Sequence, residues 1–136
     1  MLVLAVWRAF HPGLERAPTA LPLARAIAQA VAEDSAPVWP MPEEAAIVAL
    51  WAVKESWLAP NAVGDHGQAF GYLQLHSAAG RGTELEQVRG WLALLREGAR
   101  ICPESPAAPL SGSCMGARAL ADRRVERATE LLGAIR

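Results

Sequence analysis

Glu55 and Asp65 are the residues from which chemistry can first be argued. Glu55 stands in the last turns of a helix that opens at Pro42. Asp65 follows Gly64 in a turn-rich stretch that also holds Gly67 and Gly71. A carboxyl at a helix C-terminus meets the negative end of the macrodipole. Glu55 also shares its helix face with Ile47, Trp51 and Leu58, so burial disfavours its charge a second time. Both effects favour the protonated form, from which a general acid donates near neutral pH. The plainer alternative is a solvated Glu in a last turn. Asp65 also reads two ways. Gly-Asp in a loop is ordinary turn chemistry, with the side chain bonding nearby backbone. It can equally be a second carboxylate that holds a water or an oxocarbenium-like transition state, as in the usual two-carboxylate glycosidase.

Other reactive side chains near this stretch suggest less. His66 and His76 flank the loop without a His-x-x-x-His pair or an acid at ligand spacing, so neither a metal site nor a cofactor is expected. Ser56 lacks a G-x-S-x-G context, which argues against a nucleophile elbow. A local hydrogen bond at the helix end suits it better. The chain has five tryptophans. Most read as core, and Trp57, Tyr72 and Phe70 are the aromatics placed nearest a cleft.

The elements that must hold these residues follow from spacing. Met1 to Phe10 is apolar and is broken by His11-Pro12-Gly13. Thr19 as N-cap and Pro22 in the first turn open a helix that runs to about Glu33. Pro42, Glu43 and Glu44 open the next, where proline loses nothing and acids suit the positive end. Pro60 is expected to end it. Residues 61 to 76 read as a small hairpin or an irregular β segment. Alternation would put Phe70, Tyr72 and Gln74 on one side and Leu73 and Leu75 on the other. Thr83 and Glu86 form a capping-box pattern before a helix marked by Leu85, Val88, Leu92, Leu95 and Ala99. The last helix spans about Met115 to Ile135. Its buried face is Ala121, Val125, Ala128, Leu132 and Ile135, with Arg118, Arg123, Arg124 and Arg127 largely outside it. The order is helices, a short β excursion, then helices: a mostly helical α+β domain.

Bulk properties bound the rest. The chain has 136 residues, one domain's worth, and is 52% hydrophobic, which marks a packed globular protein. Thirteen basic residues balance 14 acidic ones, so charge gives no argument for nucleic acid. The opening MLVLAVW makes a poor signal peptide. It has no basic leader, Arg8 interrupts its apolar run, and no small-x-small cleavage site follows. It is expected to dock on the core. No run approaches the ~20 apolar residues of a membrane helix. Cys102 and Cys114 match no zinc spacing. Either they join across a proline-rich loop, stabilising by on the order of 3 kcal/mol, or they are ordinary thiols.

Glu55-Ser56, Gly64-Asp65-His66-Gly67 and Phe70-Gly71-Tyr72-Leu73-Gln74 together resemble the lysozyme-like superfamily. The resemblance is to goose-type lysozymes and bacterial lytic transglycosylases. It covers about residues 43 to 76. It implies a lysozyme-like fold over 1–136, with a small hairpin beside the catalytic helix. The implied substrate and partner is peptidoglycan, cut at the β-1,4 link from N-acetylmuramic acid to N-acetylglucosamine. Glu55 matches the acid that protonates the leaving oxygen, and Asp65 the aspartate that works with a water. Tyr72 and Gln74 match positions beside the cleft floor, and Ser56, Phe70 and His76 are grouped with them as substrate-binding residues. Two departures stand out. His76 occupies the place of a second goose-type aspartate, and the Tyr-Asn-Ala-Gly motif of transglycosylases is absent. The product could therefore be a reducing end or a 1,6-anhydro sugar. A non-catalytic wall-binding module or a phage component is the alternative. No metal, cofactor or nucleic acid is implied, and a monomer is expected.

Overall fold

The computed structural model describes all residues from Met1 to Arg136. It has five α-helices and a two-stranded antiparallel sheet. The helices are α1 (Leu2–Phe10), α2 (Ala20–Glu33), α3 (Met41–Ser56), α4 (Glu84–Ile101) and α5 (Arg118–Ile135). The strands β1 (Val63–Gly64) and β2 (Ala69–Phe70) lie between α3 and α4. No helix is long and apolar enough to cross a membrane.

Helix α3 is the axis of the fold. Every residue from Glu44 to Val53 is buried. A helix apolar all round needs neighbours on every side. α1, α2 and α5 pack around it, and α4 packs on α2. Thirty-five buried residues form one hydrophobic core that draws on all five helices. The apolar opening segment belongs to it, through Val3, Val6 and Trp7. The Trp7 indole N–H donates to the Ala49 carbonyl at 2.9 Å, which fixes α1 across α3. Trp51 of α3 packs on Trp91 of α4, with ring centroids 5.6 Å apart.

Local chemistry sets the ends of the elements. α4 starts with the capping box expected of Thr83 and Glu86, and both reciprocal bonds are present. Thr19 stands at the N-cap position of α2, where its carbonyl accepts from the Leu23 amide at 3.2 Å, but its side chain makes no capping bond. Its own backbone is already helical (φ −87°, ψ −10°), and its hydroxyl donates to the Leu58 carbonyl at 2.7 Å. α3 stops at Ser56, ahead of Pro60, because Trp57 and Leu58 both turn left-handed (φ 54° and 62°). Leu58 is buried, but it reaches the core from the turn and not from the helix face.

The β excursion is smaller than its alternation suggests. Val63 pairs with Phe70 and Gly64 with Ala69. Phe70 then bridges to Leu75, closing a tight turn over residues 71–74. Gly71 (φ 82°) and Gln74 (φ 51°) turn the chain, so the expected two-sided strand does not form. Tyr72, Leu73 and Leu75 are all buried as a result.

Candidate functional site

The C-terminal end of α3, the 61–76 segment, α4 and the loop before α5 enclose a cleft of about 760 Å³. That lies in the range of ordinary ligand sites, roughly 300–1,000 Å³. α3 delivers Glu55 to it; the loop and turn deliver Asp65, Gln74 and His76. Leu94, Glu97 and Ile101 of α4 face them, and Pro109 to Gly112 close the remaining side. Leu94 and Ile101 are exposed apolar side chains, so this wall offers an apolar surface opposite polar groups.

Three carboxylates line the cleft, and each faces a nitrogen-bearing side chain. Arg124 Nη1 donates to Glu55 Oε1 at 2.7 Å. His76 Nε2 lies 3.1 Å from Asp65 Oδ2. Arg100 pairs with Glu97, and its hydrogen bonds hold the Glu97 carboxyl below the usual range. The settings differ. The Asp65 and His76 side chains are 54% and 59% exposed, whereas those of Glu55 and Arg124 are 23% and 13% exposed. Glu55 therefore sits in the most enclosed of the three pairs, where an ion pair is least screened.

The remaining expected site residues do other work. The Ser56 hydroxyl donates to the Ala52 carbonyl at 2.9 Å, a local bond within α3. Tyr72 is 1% exposed and belongs to the core, where burial pushes its hydroxyl above the ordinary tyrosine value. Its backbone amide donates to Gln87 Oε1 at 2.8 Å. Phe70 lies beneath the Arg81 guanidinium, 3.8 Å from the ring centroid. Trp57 packs on Phe10 and His11 at the end of α1, with centroids 6.2 and 5.3 Å away. None of these four side chains lines the cleft. Gln74 does, but its amide donates to the Ala62 and Gly71 carbonyls at 3.1 and 2.9 Å. It holds the turn in shape while presenting one edge to the cleft. Cys102 and Cys114 are joined as a disulfide that spans the cleft wall at Pro109 to Gly112.

Backbone strain collects around the same place. The non-glycine residues with positive φ are Trp57, Leu58, Asp65, His66 and Gln74, all between the end of α3 and the turn. Such conformations cost on the order of 1–3 kcal/mol each and cluster where a site needs a fixed geometry. Two cleft residues, Asp65 and Gln74, are among the five.

Arg124 and Glu97 were not visible as site residues from spacing. Glu97 is one polar position on an amphipathic helix. Arg124 lies between Ala121 and Ala128 on the α5 face that meets α3, but its charge suggested solvent. A pair separated by 69 residues leaves no local signal. No group of His, Cys, Asp and Glu side chains has metal-site geometry. No family model matches the chain, and no curated protein or solved structure matches it either.

Proposed function

We propose that this chain is a lysozyme-like domain that cleaves peptidoglycan glycan strands, with Glu55 as the proton donor. The observation that carries the reading is the gathering of Glu55, Asp65, Gln74 and His76 in one cleft at the end of the buried central helix. The Glu-Ser, Gly-Asp and Gly-Tyr-Leu-Gln motifs that resemble goose-type lysozymes and lytic transglycosylases run through that same cleft and its supporting turn. The mostly helical architecture, with a small hairpin beside α3, is compatible with a lysozyme-like fold.

In the proposed reaction Glu55 gives its proton to the glycosidic oxygen as the C1–O bond breaks. Asp65 directs a water to C1 and takes its proton, giving hydrolysis. If the sugar's own 6-hydroxyl attacks C1 instead, giving its proton to the Glu55 carboxylate left by the first transfer, the product is a 1,6-anhydro ring. The test is turbidity loss of purified cell walls at several pH values. Wild type should clear them, and Glu55→Gln should be slower by at least about a hundredfold. A wild type inert at every pH, or an unimpaired Glu55→Gln, overturns the catalytic reading. Mass spectrometry of the products distinguishes reducing from anhydro ends.

A second reading draws on the Glu55–Arg124 pair. The Glu55 carboxyl is already engaged by a guanidinium, an arrangement that suits a domain that binds glycan without cutting it. Wall binding with no released product supports this reading.

A further inference from the structure

Arg124 is an unusual residue to find where it is. It sits on α5 between Ala121 and Ala128, both 0% exposed, whose small side chains face the core. Its side chain is 13% exposed, and its guanidinium lies 5.1 Å from the centroid of the Trp51 ring. Glu55 is its one ion-pair partner. Arg124 Nε is buried with no acceptor. A guanidinium cannot give up its charge to escape burial. An enclosed ion pair is weak evidence for stability, because desolvation consumes most of the Coulombic gain. The orphaned Nε adds a further cost. The arrangement is thus expensive in stability, and its result is a Glu55 carboxyl held in one orientation.

We propose that Arg124 is a positioning residue of the cleft, one that fixes Glu55 by its Oε1 and leaves Oε2 free for proton transfer. The inference rests on the reading of Glu55 as proton donor. Three features give it its form. Arg124 does not line the cleft, whereas Glu55 does, so the guanidinium grips the carboxyl from behind. Oε2 accepts no protein hydrogen bond and is not sealed from solvent. The Trp51 face supports the flat guanidinium, a contact that lysine could not reproduce in full. Other titratable groups near Glu55 are Lys54 on its own helix, Asp65 and His76 across the cleft and Glu97 on α4, and none of them pairs with it.

The experiment compares wild type, Arg124→Gln and Arg124→Lys in two measurements. The first is the rate of wall clearance against wall concentration and pH. The second is urea denaturation, which needs no activity. Arg124→Gln is expected to lower the maximal rate about tenfold or more with half-saturation within about twofold, as a loss confined to the transition state would. Urea denaturation should show the variant folded under the assay conditions. Arg124→Lys keeps the charge and should return the maximal rate part of the way toward wild type. A maximal rate unchanged in Arg124→Gln overturns the proposal, as does a Lys variant indistinguishable from the Gln variant. A wild type that clears no walls overturns the catalytic reading, and the positioning role falls with it. A changed denaturation midpoint in Arg124→Gln would then mark the pair as structural only.

Discussion

Gly71 shows how much of the cleft depends on single atoms. Its φ is 82°, and a Cβ placed there would collide with Gln87 Oε1 and the Gly80 carbonyl. Gln87 is buried, and it ties α4 to the turn by accepting from the Tyr72 amide and donating to the Gly82 carbonyl at 3.0 Å. Gly71→Ala is therefore expected to cost about 3 kcal/mol in urea denaturation, from strain and displaced packing together. On the proposed function, it should also lower wall clearance more than a neutral surface change does, because Gln74 sits three residues on in the same turn. The sequence made Gly71 visible as part of a turn. It did not reveal Gln87, which lies on a helix where glutamine is an unremarkable residue. Arg124 was hidden for the same reason. Charged residues on an amphipathic helix are assigned to solvent by default, and only the approach of α5 to α3 shows this one turned inward.

At the scale of elements, α3 carries a different ionisable group at each end. Glu55 closes it. Glu44 opens it, fully buried, with Oε1 accepting from the Val38 amide at 3.0 Å and Oε2 without a partner. Burial, and then the neighbouring Asp34 carboxylate, push the Glu44 carboxyl up to about 7, against the pull of the Val38 amide. Asp34 is itself paired with Arg96 of α4 at 2.9 Å. Between an ordinary glutamate value near 4.5 and about 7, the folded chain holds a proton that the unfolded chain has lost. Stability should therefore fall as pH rises across that window and level off above it. The loss should be on the order of 1–3 kcal/mol. Urea denaturation at pH 5 and pH 8 should show it in wild type and much less of it in Glu44→Gln. Equal losses in the two proteins would contradict this. Spacing alone marks Glu44 simply as a favourable first-turn acid. The periodic elements were easier to read: α2, α3 and α4 emerge from apolar spacing and start signals, and the Thr83–Glu86 capping box forms as its pattern implies. The Phe70 to Leu75 alternation misled because a turn through positive φ can bury neighbouring residues that a strand would separate.

For the whole molecule, one core supports a cleft whose fourth side is a loop holding one short 3-10 turn, Ala108–Ser111. Residues 103–113 supply that side, and the Cys102–Cys114 disulfide closes them into a loop. Replacing both cysteines by alanine should cost about 3 kcal/mol, readable as a lower melting temperature. On the proposed function, it should weaken glycan retention on the cleft more than it changes Glu55 chemistry, since Glu55 is held by α3 and α5. The same bridge has a consequence for fragmentation. Gly112 and Ser113 are exposed within the closed loop, just before Cys114, the kind of site where a protease nicks a folded chain. A cut there would split the polypeptide into two pieces, with α5 and Arg124 on the shorter one. The disulfide would keep them joined as a two-chain protein, with the guanidinium still on Glu55. On a gel the nicked protein should run whole without thiol and as two bands with it. Separating the bands would carry the partner of Glu55 away from the cleft.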